Sequence, residues 1–229
     1  MKKVILVMLS GMLLLGLSGC GAKKETPTPD AIQFKEEYES LNGVSNSSGS
    51  EYRTVSIPTK NPFTYITTEE LIEKFDNEGT FYVYFGYSYC PWCRSVIEKA
   101  TAVAKANHID TIYYIDVWDG DHIENLRDTY KIHDASELEL VSEGAQDYYI
   151  LLAYLDNVLG EYILTNADGE KIFVGEKRIF LPNFIYVEDG KAIKLEEGIS
   201  EKQANSRMEL TDEILKDEET KFNIFFKSK

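Results

Sequence analysis

The chain has 229 residues, 43% of them apolar and 28% charged, which suits one ordinary domain with an insertion, or two small ones, around a core of its own. Its 39 acidic and 24 basic residues give a formal charge of -15. That balance argues against nucleic-acid binding, which needs a surplus of Lys and Arg to neutralise phosphates, and it names no other partner.

The chain begins with a basic pair, Lys2 and Lys3, and an apolar run from Ile5 to Leu17. That run is too short for a bilayer span of about 20 residues but suits the hydrophobic stretch of a secretory signal. It ends in Leu17-Ser18-Gly19-Cys20. These four residues resemble the bacterial lipobox, which implies a signal peptide over 1–19 and lipid modification of Cys20. Cleavage there would remove Lys2 and Lys3 and take the formal charge from -15 to -17. The resemblance implies a protein held by lipid on the extracytoplasmic face of a bacterial membrane, of Gram-positive type.

Residues 20–57 read as the lipidated Cys and a flexible tether, because "GAKKETPTPD" is polar with two prolines and "LNGVSNSSGSEY" is rich in Ser, Gly and Asn. "AIQFKEEYESL" between them has the pattern of a short helix. The folded domain is expected over 58–229. Thr67-Thr68-Glu69-Glu70 fits a capping box, with Leu71, Ile72 and Phe75 as the apolar face of the helix behind it. "TFYVYFGY", Thr80 to Tyr87, has hardly a polar residue and predicts a strand buried on both faces. Val96, Ile97, Ala100, Val103 and Ala104 then form a helical stripe, and "TIYYIDVW", Thr111 to Trp118, predicts a second buried strand. Strand, helix, strand at this spacing is a βαβ unit with parallel pairing.

Ile123, Leu126 and Tyr130 suggest a short helix, and Ala145, Tyr148, Tyr149, Leu152 and Leu155 a longer one. Hairpins are expected at Asp168-Gly169 and Asp189-Gly190. A terminal helix is expected from Thr211 to about Phe226, with its acidic residues, Glu218 among them, on a solvated face.

With Cys20 assigned to lipid, the remaining cysteines are Cys90 and Cys93, three apart at a strand-to-helix junction. There the unpaired N–H groups and the helix dipole favour a thiolate on the first sulfur. The second sulfur returns under the first on the opening turn, close enough to resolve a mixed disulfide. Cys90 is therefore the expected attacking thiol and Cys93 the resolving one. Pro91 suits the first helical turn, and Tyr89 and Trp92 would rim the sulfur with apolar surface for a substrate. Two other uses fit the pair less well. A structural zinc site needs four ligands, and His108, His122 and His133 have no paired spacing. A purely structural disulfide closing so small a loop would constrain the unfolded chain little. Neither a metal nor a cofactor is expected.

At these residues the chain resembles the thioredoxin superfamily, and in its lipidated, aromatic-rich form the thioredoxin-like proteins of Gram-positive bacteria, including the bacteriocin-transport accessory type. The resemblance implies an α/β three-layer sandwich with a mixed sheet and the CxxC at a helix N-terminus. It also implies a cis-proline opposite the cysteines, carried here to Pro182, with Leu181 as a substrate contact; a plain trans proline starting a strand is the alternative. Two departures stand out. Many thioredoxins carry a buried acid six residues before the first Cys, where this chain has Tyr84. The stretch about 119–174 is longer than a minimal member needs and is expected to insert one helix and one hairpin. The resemblance implies exchange of disulfides with protein thiols or disulfides, and recycling by a redox partner that is itself membrane-embedded. An accessory module docking on a transporter or secreted client, with the CxxC secondary, is the alternative.

Overall fold

The computed structural model describes residues 26–118, 125–133 and 137–227. Helix α1 (Pro29–Glu39) precedes β1 (Phe63–Tyr65), α2 (Thr68–Asp76), β2 (Phe81–Gly86), α3 (Pro91–Ala106) and β3 (Ile112–Asp116). Then come β4 (Thr129–His133), β5 (Glu137–Ser142), α4 (Gln146–Leu155), β6 (Gly160–Thr165) and β7 (Lys171–Arg178). The chain closes with β8 (Asn183–Glu188), β9 (Lys191–Glu196) and α5 (Asp212–Lys227). The architecture is α/β.

Five strands form a mixed sheet in the order β1-β3-β2-β8-β9. β1, β3 and β2 run parallel, while β8 is antiparallel to β2 and β9 to β8. Every residue of β2 is buried, because side chains alternate between two covered faces. Tyr82 and Tyr84 point to the layer of α1, α3 and α5. Phe81, Val83 and Phe85 point to the layer of α2 and α4. α2 begins with the expected capping box: Thr67 accepts from the Glu70 N–H, and the Glu70 carboxylate accepts from the Thr67 N–H at 3.0 Å. The β8–β9 hairpin turns at Asp189-Gly190, both at positive φ. A Cβ at Gly190 would lie 2.7 Å from the Phe75 carbonyl, so only glycine fits there.

Three expectations need correction. The flexible tether over 20–57 does not extend through α1, and the domain boundary at 58 is too late. Thr28 caps α1, and Ala31, Phe34 and Tyr38 are buried at i, i+3 and i+7. Phe34 stacks on Phe63 at 4.0 Å and meets Tyr114 edge-on at 4.9 Å. Val55 and Ile57 are buried too, and Asn42 fastens Val55 through both its N–H and its carbonyl.

The second correction concerns the stretch 119–174, which holds two hairpins, β4–β5 and β6–β7, rather than one. Tyr130 lies in β4 and not in a helix, while Ile123 falls outside the described residues. Nor is α4 an appendage: Tyr148, Leu151 and Leu155 are fully buried in the core beside α2.

Third, Glu218 faces inward on α5, in line with Ile214 and Phe222, and neither carboxylate oxygen has a hydrogen-bond partner. Burial first of all raises its pKa from the ordinary carboxylate value to about 7.

Two measurements follow. Phe34→Ala should destabilise the protein by about 3–5 kcal/mol in urea unfolding, whereas a tether residue would change it by about 0.5 kcal/mol or less. A carboxyl raised in the folded state binds a proton that the unfolded chain releases, so Glu218 withdraws stability as pH climbs from 4.5 to 7. Glu218→Gln should therefore stabilise by roughly 2 kcal/mol at pH 8 and hardly at all at pH 4; an equal effect at both pH values would refute this.

Candidate functional site

β2 ends at Gly86, and four residues later Cys90 caps α3 with extended backbone, φ -69° and ψ 117°. Its own N–H donates to the Tyr87 carbonyl at 3.1 Å, and its carbonyl accepts the first helical bond, from Arg94, at 3.0 Å. Pro91 fills the first helical position, where a missing N–H is no loss. The Cys93 N–H donates to Cys90 Sγ at 3.2 Å. Sulfur thus stands where Ser, Thr or Asp usually caps a helix.

Both cysteines are free thiols, Cys90 5% exposed and Cys93 fully buried. Their environments push the two thiols apart. The Cys90 pKa falls below its ordinary value, chiefly through the hydrogen bond from the Cys93 side chain, helped by the N–H groups of Cys93 and Trp92 and by the Arg127 charge. Cys93 rises well above its ordinary value because it is buried and because Cys90 lies beside it. The first thiol is biased toward the thiolate and the second toward its protonated form.

The residues expected around the sulfur are brought to it unequally. Pro91 and Trp92 are half-buried on the first turn of α3, and Tyr89 is 38% exposed with its ring edge-on to Tyr52. The Leu181–Pro182 peptide is cis and lies directly before β8, whose Asn183 is paired with Phe85 at the end of β2. That register places Leu181 and Pro182 beside the loop that carries Cys90. Cys20 lies outside the described residues. Of the histidines, His108 follows α3 at positive φ, His133 is in β4, and His122 is not described. Among the described residues no three His, Cys, Asp or Glu side chains gather as a metal site.

Three residues at the site escaped the sequence reading. Arg94, one position after Cys93, is buried and donates to the carbonyls of Arg53, Tyr38 and Ser88 and to Asn42 Oδ1. It ties α1 and the Tyr87–Tyr89 loop to the first turn of α3. Arg127 donates to the Ile179 carbonyl at 3.1 Å and lends positive charge to Cys90. Tyr38 reaches the site from α1, its hydroxyl 2.8 Å from that of Tyr84. Only Tyr38 had a readable signal, its spacing from Ala31 and Phe34.

Next to Arg127, Asp128 pairs with Arg178 at 2.9 Å, and Arg178 lies 4.1 Å over the Tyr162 ring. Asp128 also raises the pKa of Glu176 beside it to about 7. This polar cluster joins the start of β4 to the end of β7, just before Ile179.

No protein-family model matches this chain, and no curated protein matches it. The assignment of function therefore rests on the site itself.

With the Cys90 pKa depressed, iodoacetamide at neutral pH should alkylate Cys90 alone. The rate should rise with pH through a midpoint below the ordinary thiol value of 9.0, returning toward it in urea. Equal labelling of Cys93 would contradict the geometry.

Proposed function

We propose that the protein is a thiol–disulfide oxidoreductase of thioredoxin-like architecture, working through Cys90 as attacking thiol and Cys93 as resolving thiol. The observation that carries this is the Cys93 N–H on Cys90 Sγ at a helix N-terminus, with a buried free thiol three residues on. The mixed sheet, the layers on its two faces and the cis Leu181–Pro182 bond beside the Cys90 loop support the same reading.

The chemistry balances without a cofactor. The Cys90 thiolate attacks one sulfur of a substrate disulfide, forming a mixed disulfide and releasing one substrate thiolate. Cys93 gives up its proton and attacks Cys90 Sγ, releasing the second substrate sulfur, which takes a proton. The substrate is reduced by two electrons and the Cys90–Cys93 pair oxidised by two; the reverse sequence oxidises a dithiol. Tyr89, Pro91, Trp92 and Leu181 supply the apolar surface a protein substrate would meet. The lipobox at Leu17–Cys20 supports placement on the outer face of a membrane, with secreted or membrane proteins as clients and a membrane-embedded partner for recycling.

A second reading, docking on a transporter or client with the thiols secondary, is favoured by one observation. The inserted elements expose Leu140, Val141, Tyr149, Ile150 and Phe173, the last at 60%.

The deciding experiment is turnover of insulin with dithiothreitol, together with equilibration against a glutathione redox series read by thiol trapping. The protein should accelerate insulin reduction, Cys90→Ser should abolish that, and Cys93→Ser should accumulate the mixed disulfide. Because no His lies between the cysteines, the potential is expected to be more reducing than that of the strongest oxidases. Wild-type protein that neither catalyses insulin reduction nor oxidises in the glutathione series would leave the docking reading.

A further inference from the structure

The resolving thiol has an unusual floor. Tyr84 is fully buried in β2, and its ring lies along the strand over Gly86: a Cβ on Gly86 would stand 2.2 Å from the Tyr84 hydroxyl oxygen. Glycine at 86 thus clears the path by which the phenol runs toward the cysteines. At that end the Tyr84 hydroxyl faces Cys93, whose pKa it draws down against the larger upward push of burial. On its other side lies the Tyr38 hydroxyl at 2.8 Å, also fully buried. When Tyr38 donates to Tyr84, the Tyr84 proton is left pointing at sulfur.

The groups facing this pair are Cys90 on α3, Tyr38 on α1 and Tyr114 on β3. Glu37, which acts on Tyr38 and Tyr114, accepts from the Tyr114 hydroxyl at 3.1 Å and from Tyr65. Burial keeps the three phenols protonated across the physiological range. A neutral phenol is a donor and a poor base.

We propose that Tyr84, braced by Tyr38 from α1, is a catalytic hydrogen-bond donor that stabilises the Cys93 thiolate. The inference rests on the exchange reading above. In resolution, Cys93 must become a thiolate before its sulfur bonds to Cys90 Sγ; its proton goes to solvent or to the outgoing substrate thiolate, and Tyr84 stabilises the anion between those events. In the reverse direction, a substrate thiolate attacks Cys90 Sγ, the Cys90–Cys93 bond breaks, and Tyr84 stabilises the leaving Cys93. A hydrogen bond to an ionised sulfur is stronger than one to a thiol, so the donor acts on the charged species. Tyr38 touches no reacting atom and is a positioning residue.

The test uses the full folded chain in two arms. In the first, wild type, Tyr84→Phe and Tyr38→Phe/Tyr84→Phe are each mixed with oxidised glutathione, and release of the second glutathione, the intramolecular step, is timed across pH. Tyr84→Phe should slow that step about tenfold and move its profile about one unit to higher pH, with the first step unchanged. Tyr84→Phe also strands the buried Tyr38 hydroxyl, so part of any change could be structural. The double variant removes both hydroxyls and should recover stability in urea unfolding while remaining slow. An unchanged second step in Tyr84→Phe, or a rate restored along with stability in the double variant, overturns the proposal. In the second arm, Cys93 is titrated by its ¹³Cβ shift in Cys90→Ala, with and without Tyr84→Phe; no difference between the two, including neither titrating, also overturns it. This arm needs no exchange activity. Failure of wild type to react with oxidised glutathione would sink the exchange reading, while the titration would still decide the role of Tyr84.

Discussion

The bond from the Cys93 N–H to Cys90 Sγ ties the folding of α3 to the chemistry of its first residue. A helix start leaves backbone donors that need an acceptor, and here the acceptor is the thiol. The same donors favour the charged form of that sulfur, so capping strengthens as the thiolate forms. The cap also fixes where Cys93 must be: one turn on, facing inward, buried beneath the first sulfur. One thiol activated and one held back are two outcomes of a single local geometry.

That geometry needs a rigid support. The supporting strand, β2, is the middle of five, buried on both faces and paired on both edges. Its aromatic side chains fill the layer beneath α3: Tyr84 stacks on Phe184 at 4.3 Å and on Tyr114 at 5.5 Å. A phenol in such a place must satisfy its hydroxyl, and Tyr84 does so with Tyr38, facing Cys93. Arg94 adds a second constraint. Burying a guanidinium is unfavourable unless its donors are met, and meeting them here requires the carbonyls of Tyr38, Arg53 and Ser88. Helix α1 is therefore part of the site's foundation, through Phe34 in packing and Tyr38 in polar contact.

How much of this was legible in the sequence depended on how local the signal was. β2, α3 and β3 announce themselves because an uninterrupted apolar run and a 3.6-residue stripe are written within a few residues each. The cysteine pair and the Asp189-Gly190 turn are equally local. The helical pattern of α1 is readable but its place in the core is not, because its stripe is only Ala31, Phe34 and Tyr38, set between proline-rich and Ser/Gly-rich stretches. Its burial depends on Phe63 and Tyr114, far along the chain. Tyr130 fitted helical spacing from Leu126, yet Tyr130 and Ile132 also alternate around an exposed Lys131, and the strand won. Glu218 could have been read: it sits four residues from both Ile214 and Phe222, in the middle of the apolar stripe. Arg94 and Arg127 had no readable signal, since what they bind is backbone carbonyl from distant segments.

The β4–β5 and β6–β7 hairpins are linked to the surroundings of the cysteines by two arginines with different tasks. Arg178 holds Asp128 and so fixes where the 127–128 segment sits against β7. Arg127, one residue earlier, binds the Ile179 carbonyl and faces Cys90. Ile179 lies three residues before the cis-proline. One short segment therefore bears on both the positive charge acting on Cys90 and the path of the backbone toward Leu181 and Pro182. Arg127 is partly buried, and desolvation first of all lowers its pKa. A displacement of the two hairpins would alter the charge beside Cys90 and the backbone path toward Pro182 together. The hairpins thus bear on the surroundings of both cysteines without supplying either sulfur.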